Sequence, residues 1–242
     1  MNNTADTTTI SGLYGSIKWV GGVLAPNGKI YGIPRDSLSV LIIDPLTNTA
    51  DTTKISGLLG VGKWAGGVLG PDGKIYGIPD RNNNVLIIDP VTNTADITII
   101  SVIGGNDKWA GGVLAPNGKI YGIPRNSTSV LIINPVTNTA DTSTIKDLIG
   151  NLKWSGGVLA PNGKIYGIPR DSTSVLIIDP VTDTADTTTI TGLSGSVKWV
   201  GGVLAPNGKI FGIPANSSSV LAINTGLPIY PNWMIEAYFN KF

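Results

Sequence analysis

An all-β fold, a five-bladed β-propeller of four-stranded antiparallel blades, is predicted by three observations. A Lys-Trp pair recurs at Lys18-Trp19, Lys63-Trp64, Lys108-Trp109, Lys153-Trp154 and Lys198-Trp199, always 45 residues apart and with no insertion. Each repeat divides into four short apolar or β-branched runs separated by turn residues. The first residues of the chain match a run that follows every repeat but the last. A fixed period of this length marks a propeller, a solenoid or an array. One such unit cannot bury its own apolar faces and must stack on its neighbours, so a single domain is expected over residues 1–242.

The first repeat shows the order of elements. Residues 20–25, VGGVLA, form a short apolar run with two glycines. Pro26-Asn27-Gly28 reads as a hairpin turn with glycine at the left-handed position. Residues 29–34, KIYGIP, are the returning strand, and residues 35–39 a polar loop. Residues 40–44, VLIID, are a β-branched run of the kind that is buried on both faces. A turn through Asn48 leads to residues 50–55, ADTTKI, a fourth strand whose Thr and Asp suit a free edge. Gly21 and Gly22 suit a first strand that a neighbouring backbone approaches closely. Helical repeats need a 3.6-residue apolar period, which is absent. A parallel β-helix coil is shorter and lacks the three turns.

Residues 4–10, TADTTTI, read as a rim strand without a blade, and Val220 to Asn224 as a third strand without a rim strand. The N-terminal strand is therefore expected to pair with the last blade and close the ring. Residues 225–242 leave the repeat. They carry a sixth Trp and a cluster of Trp233, Met234, Ile235, Tyr238 and Phe239 that could form one apolar helical face. The expectation is a tail docked over the closure seam or one end of the ring; a protein-partner or oligomerisation segment is the other reading.

Composition excludes several function classes. Cys and His are absent, which removes disulfides, thiolate chemistry, zinc sites and histidine acid–base catalysis. The formal charge is +1, so no nucleic-acid partner is expected. No apolar run is long enough to span a membrane, and the N-terminus shows no signal-peptide pattern. Glycosidase chemistry needs paired carboxylates. The first strands contain none, and the single Glu is Glu236. No catalytic residue, cofactor or metal is expected, and the chain is read as a monomer.

Candidate ligand-binding residues come from the repeated loops. Trp19, Trp64, Trp109, Trp154 and Trp199 could be stacking platforms for a sugar ring, or could wedge between blades. Lys18, Lys63, Lys108, Lys153 and Lys198 could attract an anion or simply be solvated. Arg35 with Asp36, Arg125 with Asn126 and Arg170 with Asp171 are suited to sugar hydroxyls, or are ordinary turn residues. The second repeat inverts the order to Asp80-Arg81, and the fifth has Ala215-Asn216. Asp44, Asp89 and Asp179 alternate with Asn134 and Asn224, which turn capping tolerates and a metal site does not. Asp6, Asp51, Asp96, Asp141 and Asp186 would solubilise the edge.

The first repeat resembles the YVTN-type propeller repeat through Pro26, Asn27, Gly28, Tyr31, Val40, Ile43, Asp44, Thr47 and Asn48. That likeness implies the fold and leaves the function open. A looser likeness, an aromatic followed by a Pro-Asn-Gly turn and a Tyr strand, is to the five-bladed tachylectin-like lectins. The functional expectation is a non-catalytic binding protein, a multivalent lectin-like module for a glycan or other small polar ligand. The alternative is a structural or protein-interaction scaffold built on recently amplified or engineered repeats.

Overall fold

The computed structural model describes residues 3–226. Most of the 225–242 tail, with its expected apolar face, lies outside the described residues. Among the described residues there is no helix. The strands form five antiparallel sheets, four of four strands and the last of three. In the first sheet these are Trp19–Leu24, Ile30–Pro34, Leu41–Asp44 and Thr49–Asp51, paired in chain order. The same set recurs from Trp64–Leu69, Trp109–Leu114 and Trp154–Leu159; the last sheet holds Trp199–Leu204, Ile210–Pro214 and Leu221–Ile223. These repeated sheets are the blades of a β-propeller. They fall into two compact units, residues 1–106 with 135–139, and residues 107–134 with 140 onward.

Local chemistry explains the strand limits. Gly28 takes φ +78° and its N–H donates to the Ala25 carbonyl, so the Pro-Asn-Gly turn forms as expected. Asn48 also adopts a left-handed conformation, with φ +51°. Asp44, Asp89 and Asp179 each accept the amide two residues ahead, at Leu46, Val91 and Val181. They cap turns, which is why asparagine can replace them.

The fourth strands are shorter than expected. They end at Asp51, Asp96, Asp141 and Asp186, where each carboxylate turns the backbone back on itself. Asp51 accepts the N–H groups of Thr53 and Lys54 as well as the Thr53 hydroxyl. Such side-chain bonds compete with the ladder and end it. These aspartates therefore terminate the strand as well as solubilising it. Asp6 binds Thr8 and Thr9 in the same way. Residues 4–10 form no strand, where a closing strand is expected.

Each core is shared by two adjacent sheets. In the first unit, Ile33, Val40 and Ile42 of one sheet pack with Trp64, Ile75 and Leu86 of the next. In the second, Ile123, Val130 and Ile132 pack with Trp154, Ile165 and Leu176. Polar links cross the same boundaries. Asn27 Nδ2 donates to Pro90 O at 2.8 Å and Tyr31 Oη to Asn93 Oδ1 at 2.9 Å. Asn117 and Tyr121 repeat this on Pro180 O and Asp183.

The paired glycines are required by this packing. Trp154 pairs with Pro169, and the register then skips to Gly157–Gly167, so a bulge lies between them. Gly156 in that bulge has φ +78°, and a Cβ there would meet Gly201 Cα at 3.2 Å. Gly163, in a turn, has the same φ but nothing within 4 Å of such a Cβ. Both alanine substitutions incur a left-handed backbone cost of about 1–2 kcal/mol. Gly156→Ala adds a clash with backbone that cannot rotate away. Urea unfolding of both variants should show Gly156→Ala the more destabilised. Equal losses would mean that the sheets separate at no cost.

Candidate functional site

The Lys-Trp pairs are mostly consumed by packing. Trp64 and Trp109 are fully buried, and Trp154 and Trp199 nearly so. Every indole N–H reaches a carbonyl 20 residues on: Ser39, Asn84, Ser129, Ser174 and Ser219, at 2.8–2.9 Å. That distance in sequence spans the second strand and its loop, so each Trp fastens its own sheet, and the rings of Trp64, Trp154 and Trp199 also fill the junction with the preceding one. The four buried Trp residues offer no ring face to a ligand. Trp19 alone is half-buried.

The lysines depart from both readings, the anion-attracting and the solvated. Lys63, Lys108, Lys153 and Lys198 are only 2–3% exposed. Lys153 Nζ donates to the carbonyls of Arg125, Ser127 and Gly150 at 2.8–3.1 Å. Lys63 does the same with Arg35, Ser37 and Gly60, and Lys198 with Arg170, Ser172 and Gly195. Each ammonium also lies 5.6–5.9 Å from the centre of its own Trp ring, within cation–π reach. The three carbonyls and the ring replace the water lost on burial. Burial still lowers Lys153, to about 8, and draws Lys63 and Lys198 down as well.

The acidic and amide members of the polar loops are clamps. Asp36 Oδ1 accepts the N–H of Gly62 at 2.7 Å, Asn126 Oδ1 that of Leu152 at 2.7 Å, and Asp171 Oδ1 that of Val197 at 2.6 Å. The three donor residues, Gly62, Leu152 and Val197, hold a backbone with positive φ: 62°, 51° and 48°. At Leu152 and Val197 the clamp offsets the strain of a left-handed non-glycine residue. The arginines beside them are held more loosely. Arg35 lies 4.0 Å from Asp80, Arg125 3.8 Å from Asp107, and Arg170 3.5 Å from Asp171. Their guanidinium groups are partly exposed, and such long ion pairs leave donors for a ligand.

One cleft gathers several predicted residues. It has a volume of about 320 Å³ and lies in the first unit, between residues 12–19 and the loop 36–39. Trp19, Lys18 and Asp36 line it, together with Tyr14, Ser37 and Ser39. Here Lys18 Nζ has one acceptor, the Gly15 carbonyl, where Lys63, Lys153 and Lys198 have three. Tyr14 is almost wholly exposed. Tyr14 occupies a loop position that differs in every repeat, with Leu59, Gly104, Ile149 and Ser194 as its equivalents, so the repeat pattern marks neither it nor the serines. Among the described residues no group of His, Cys, Asp or Glu is placed to hold a metal, and no helix is long and apolar enough to cross a membrane.

No family model and no curated protein matches the sequence, so the likeness to the YVTN-type repeat has no family match behind it. Solved structures do match in fold. Virginiamycin B lyase from Staphylococcus aureus is 15% identical with a TM-score of 0.60, over 87% of this chain and 71% of that one. An auxiliary nutrient binding protein from Bacteroides ovatus is 14% identical with a TM-score of 0.61, over 86% of this chain and 55% of that one. The extracellular domain of a hybrid two-component system from Bacteroides thetaiotaomicron is 9% identical with a TM-score of 0.64, over 88% of this chain and 30% of that one. At these identities the likeness is one of fold alone, shared by an enzyme and by binding proteins.

Proposed function

We propose that this protein is a non-catalytic binding module that takes a small polar ligand, a glycan first among the candidates, in the cleft formed by Trp19, Lys18, Asp36 and Tyr14. The observation that carries the reading is the contrast between Trp19 and its four counterparts. Trp64, Trp109, Trp154 and Trp199 are closed in by packing, whereas the half-buried Trp19 lines a cleft beside a cation with spare donors and a carboxylate. An aromatic face with flanking polar groups suits the apolar and hydroxyl faces of a sugar ring. Burial of the other four pairs favours one site of this kind per chain over five. The nutrient-binding neighbour fits a binding role.

The sequence supports a site without catalysis. The virginiamycin B lyase of S. aureus is catalytically inactive when one histidine becomes alanine, and this chain contains no histidine. The scaffold reading draws on the exposed apolar residues Leu59 and Ile149, at loop positions equivalent to Tyr14.

The test is titration calorimetry with sugars selected from an immobilised glycan panel. Binding should saturate near one equivalent per chain. Trp19→Ala or Tyr14→Ala should weaken it by about 1–3 kcal/mol, as loss of an aromatic anchor does. Arg125→Ala, in the other unit, should leave it unchanged. A blank panel with folded protein would sink the glycan reading and leave the scaffold reading in its place.

A further inference from the structure

Two apolar residues break the repeat pattern at the same place. Leu38 stands where the other repeats carry Asn83, Thr128, Thr173 and Ser218, and Val61 where they carry Ser16, Asn106, Asn151 and Ser196. Neither side chain is drawn into the core: Leu38 is 54% exposed and Val61 64%. Leu59, whose counterpart in the last such loop is Ser194, is 75% exposed.

The loops that carry these residues are stitched together within the first unit. Leu58 N–H donates to Leu38 O at 2.9 Å, Gly62 N–H to Asp36 Oδ1 at 2.7 Å, and Lys63 Nζ to Ser37 O at 2.8 Å. Leu38, Leu59 and Val61 therefore stand on one continuous ledge of backbone. Leu38 also lines the cleft of Trp19, Lys18 and Asp36, so ledge and cleft run into each other. In the second unit the same bonds join equivalent loops. There Thr128 and Asn151 flank Ile149 in one pair of loops, and Thr173, Ser194 and Ser196 make the other wholly polar. The scaffold thus needs no apolar residue at these positions.

An exposed apolar patch that adjoins a polar pocket marks a binding surface. Its size narrows the occupant. A stable protein interface takes about 800 Å² from each partner, more than three partly exposed aliphatic side chains offer, whereas the hydrocarbon of a small ligand matches it. We infer that Leu38, Leu59 and Val61 hold the apolar portion of the molecule whose polar head occupies the cleft. The ligand is then an amphipathic glycoside, a sugar that carries an alkyl or aryl aglycone. The inference rests on the proposed reading of the cleft as a sugar site. Trp19, Lys18 and Asp36 give the head a stacking face, spare donors and an acceptor. The ledge contributes release of water from apolar surface, which is non-directional, so the head sets specificity and the tail adds affinity.

The test is titration calorimetry on the full chain with matched methyl and octyl glycosides of glucose, galactose, mannose and N-acetylglucosamine, and with octanol, all below the concentration at which the octyl forms make micelles. For a sugar whose methyl glycoside binds, the octyl form should bind at least about tenfold tighter, the gain from burying roughly two methylenes. Val61→Asn and Leu59→Ser install residues that other repeats carry at these positions. Each should remove most of that gain and leave the affinity for the methyl glycoside unchanged. Ile149→Ser, at the exposed equivalent of Leu59 in the second unit, should change neither. A methyl glycoside that binds with no octyl gain overturns the inference and leaves the cleft reading standing. An octyl gain that survives both Val61→Asn and Leu59→Ser overturns it too, because the tail then lies elsewhere. Octanol that binds as tightly as every octyl glycoside, with no methyl glycoside bound, defeats the cleft reading and the inference together, as does a blank with every probe. A dimer by light scattering that Val61→Asn dissociates would assign the ledge to a second copy and equally overturn the inference.

Discussion

Trp154→Ala is expected to destabilise the protein by about 3–5 kcal/mol, the usual cost of emptying a large aromatic site in a close-packed core. The side chain is 2% exposed and sits among Ile123, Val130 and Ile145 on one side and Ile165, Leu176 and Ile178 on the other. Its loss also strips the Ser174 carbonyl of a donor at 2.8 Å. Both sheets move apart or leave a void, and neither response restores the lost contacts. Urea unfolding of this variant against Trp19→Ala separates the two roles of the repeated Trp. The half-buried Trp19 should lose clearly less stability, while carrying the binding defect. A small loss at Trp154, with lost binding, would return the buried indoles to the role of ligand platforms.

Lys153→Met is the second large effect. Methionine preserves much of the stem but has no donor. The Arg125 carbonyl keeps the Lys153 backbone N–H, whereas the Ser127 and Gly150 carbonyls lose their bonds from Nζ. The buried Ser127 carbonyl left unpaired costs about 1–3 kcal/mol, while the exposed Gly150 carbonyl can turn to water. The loss should grow with pH. Burial lowers the ammonium from its ordinary 10.5 to about 8. Between those values the unfolded chain holds a proton that the folded protein has released, so raising the pH stabilises the natural protein. The variant has no such group. Denaturation at pH 7 and pH 10 should therefore show a wider gap between the two proteins at the higher pH. An unchanged gap would mean that Lys153 stays charged, and a variant as stable as the natural protein would remove its structural role.

The repeated sheets were legible in the sequence because period, turn chemistry and β-branched runs agree with one another. Pro26-Asn27-Gly28 and the capping aspartates behave as read. The rim strands were overread: Thr and Asp suit a free edge, but the Asp51 carboxylate accepts backbone N–H groups locally and ends the ladder. The site was harder. A lysine beside a tryptophan says nothing about depth, and the three carbonyls that receive Lys63 come from Arg35, Ser37 and Gly60, two of them in the preceding repeat. The cleft at Trp19 depends on what fails to cover that residue, and no local pattern encodes a missing neighbour.

The way adjacent sheets hold each other has a consequence for the gene. The first and second repeats show the two halves of a junction: Ile33, Val40, Asn27 and Tyr31 face forward, while Lys63, Trp64 and the turn of Pro90 to Asn93 face backward. A duplicated stretch of coding sequence one period long therefore arrives with a socket that fits the old plug and a plug that fits the old socket. Unequal recombination between such near-identical stretches can add or remove a unit in frame without creating a surface that selection has never tested.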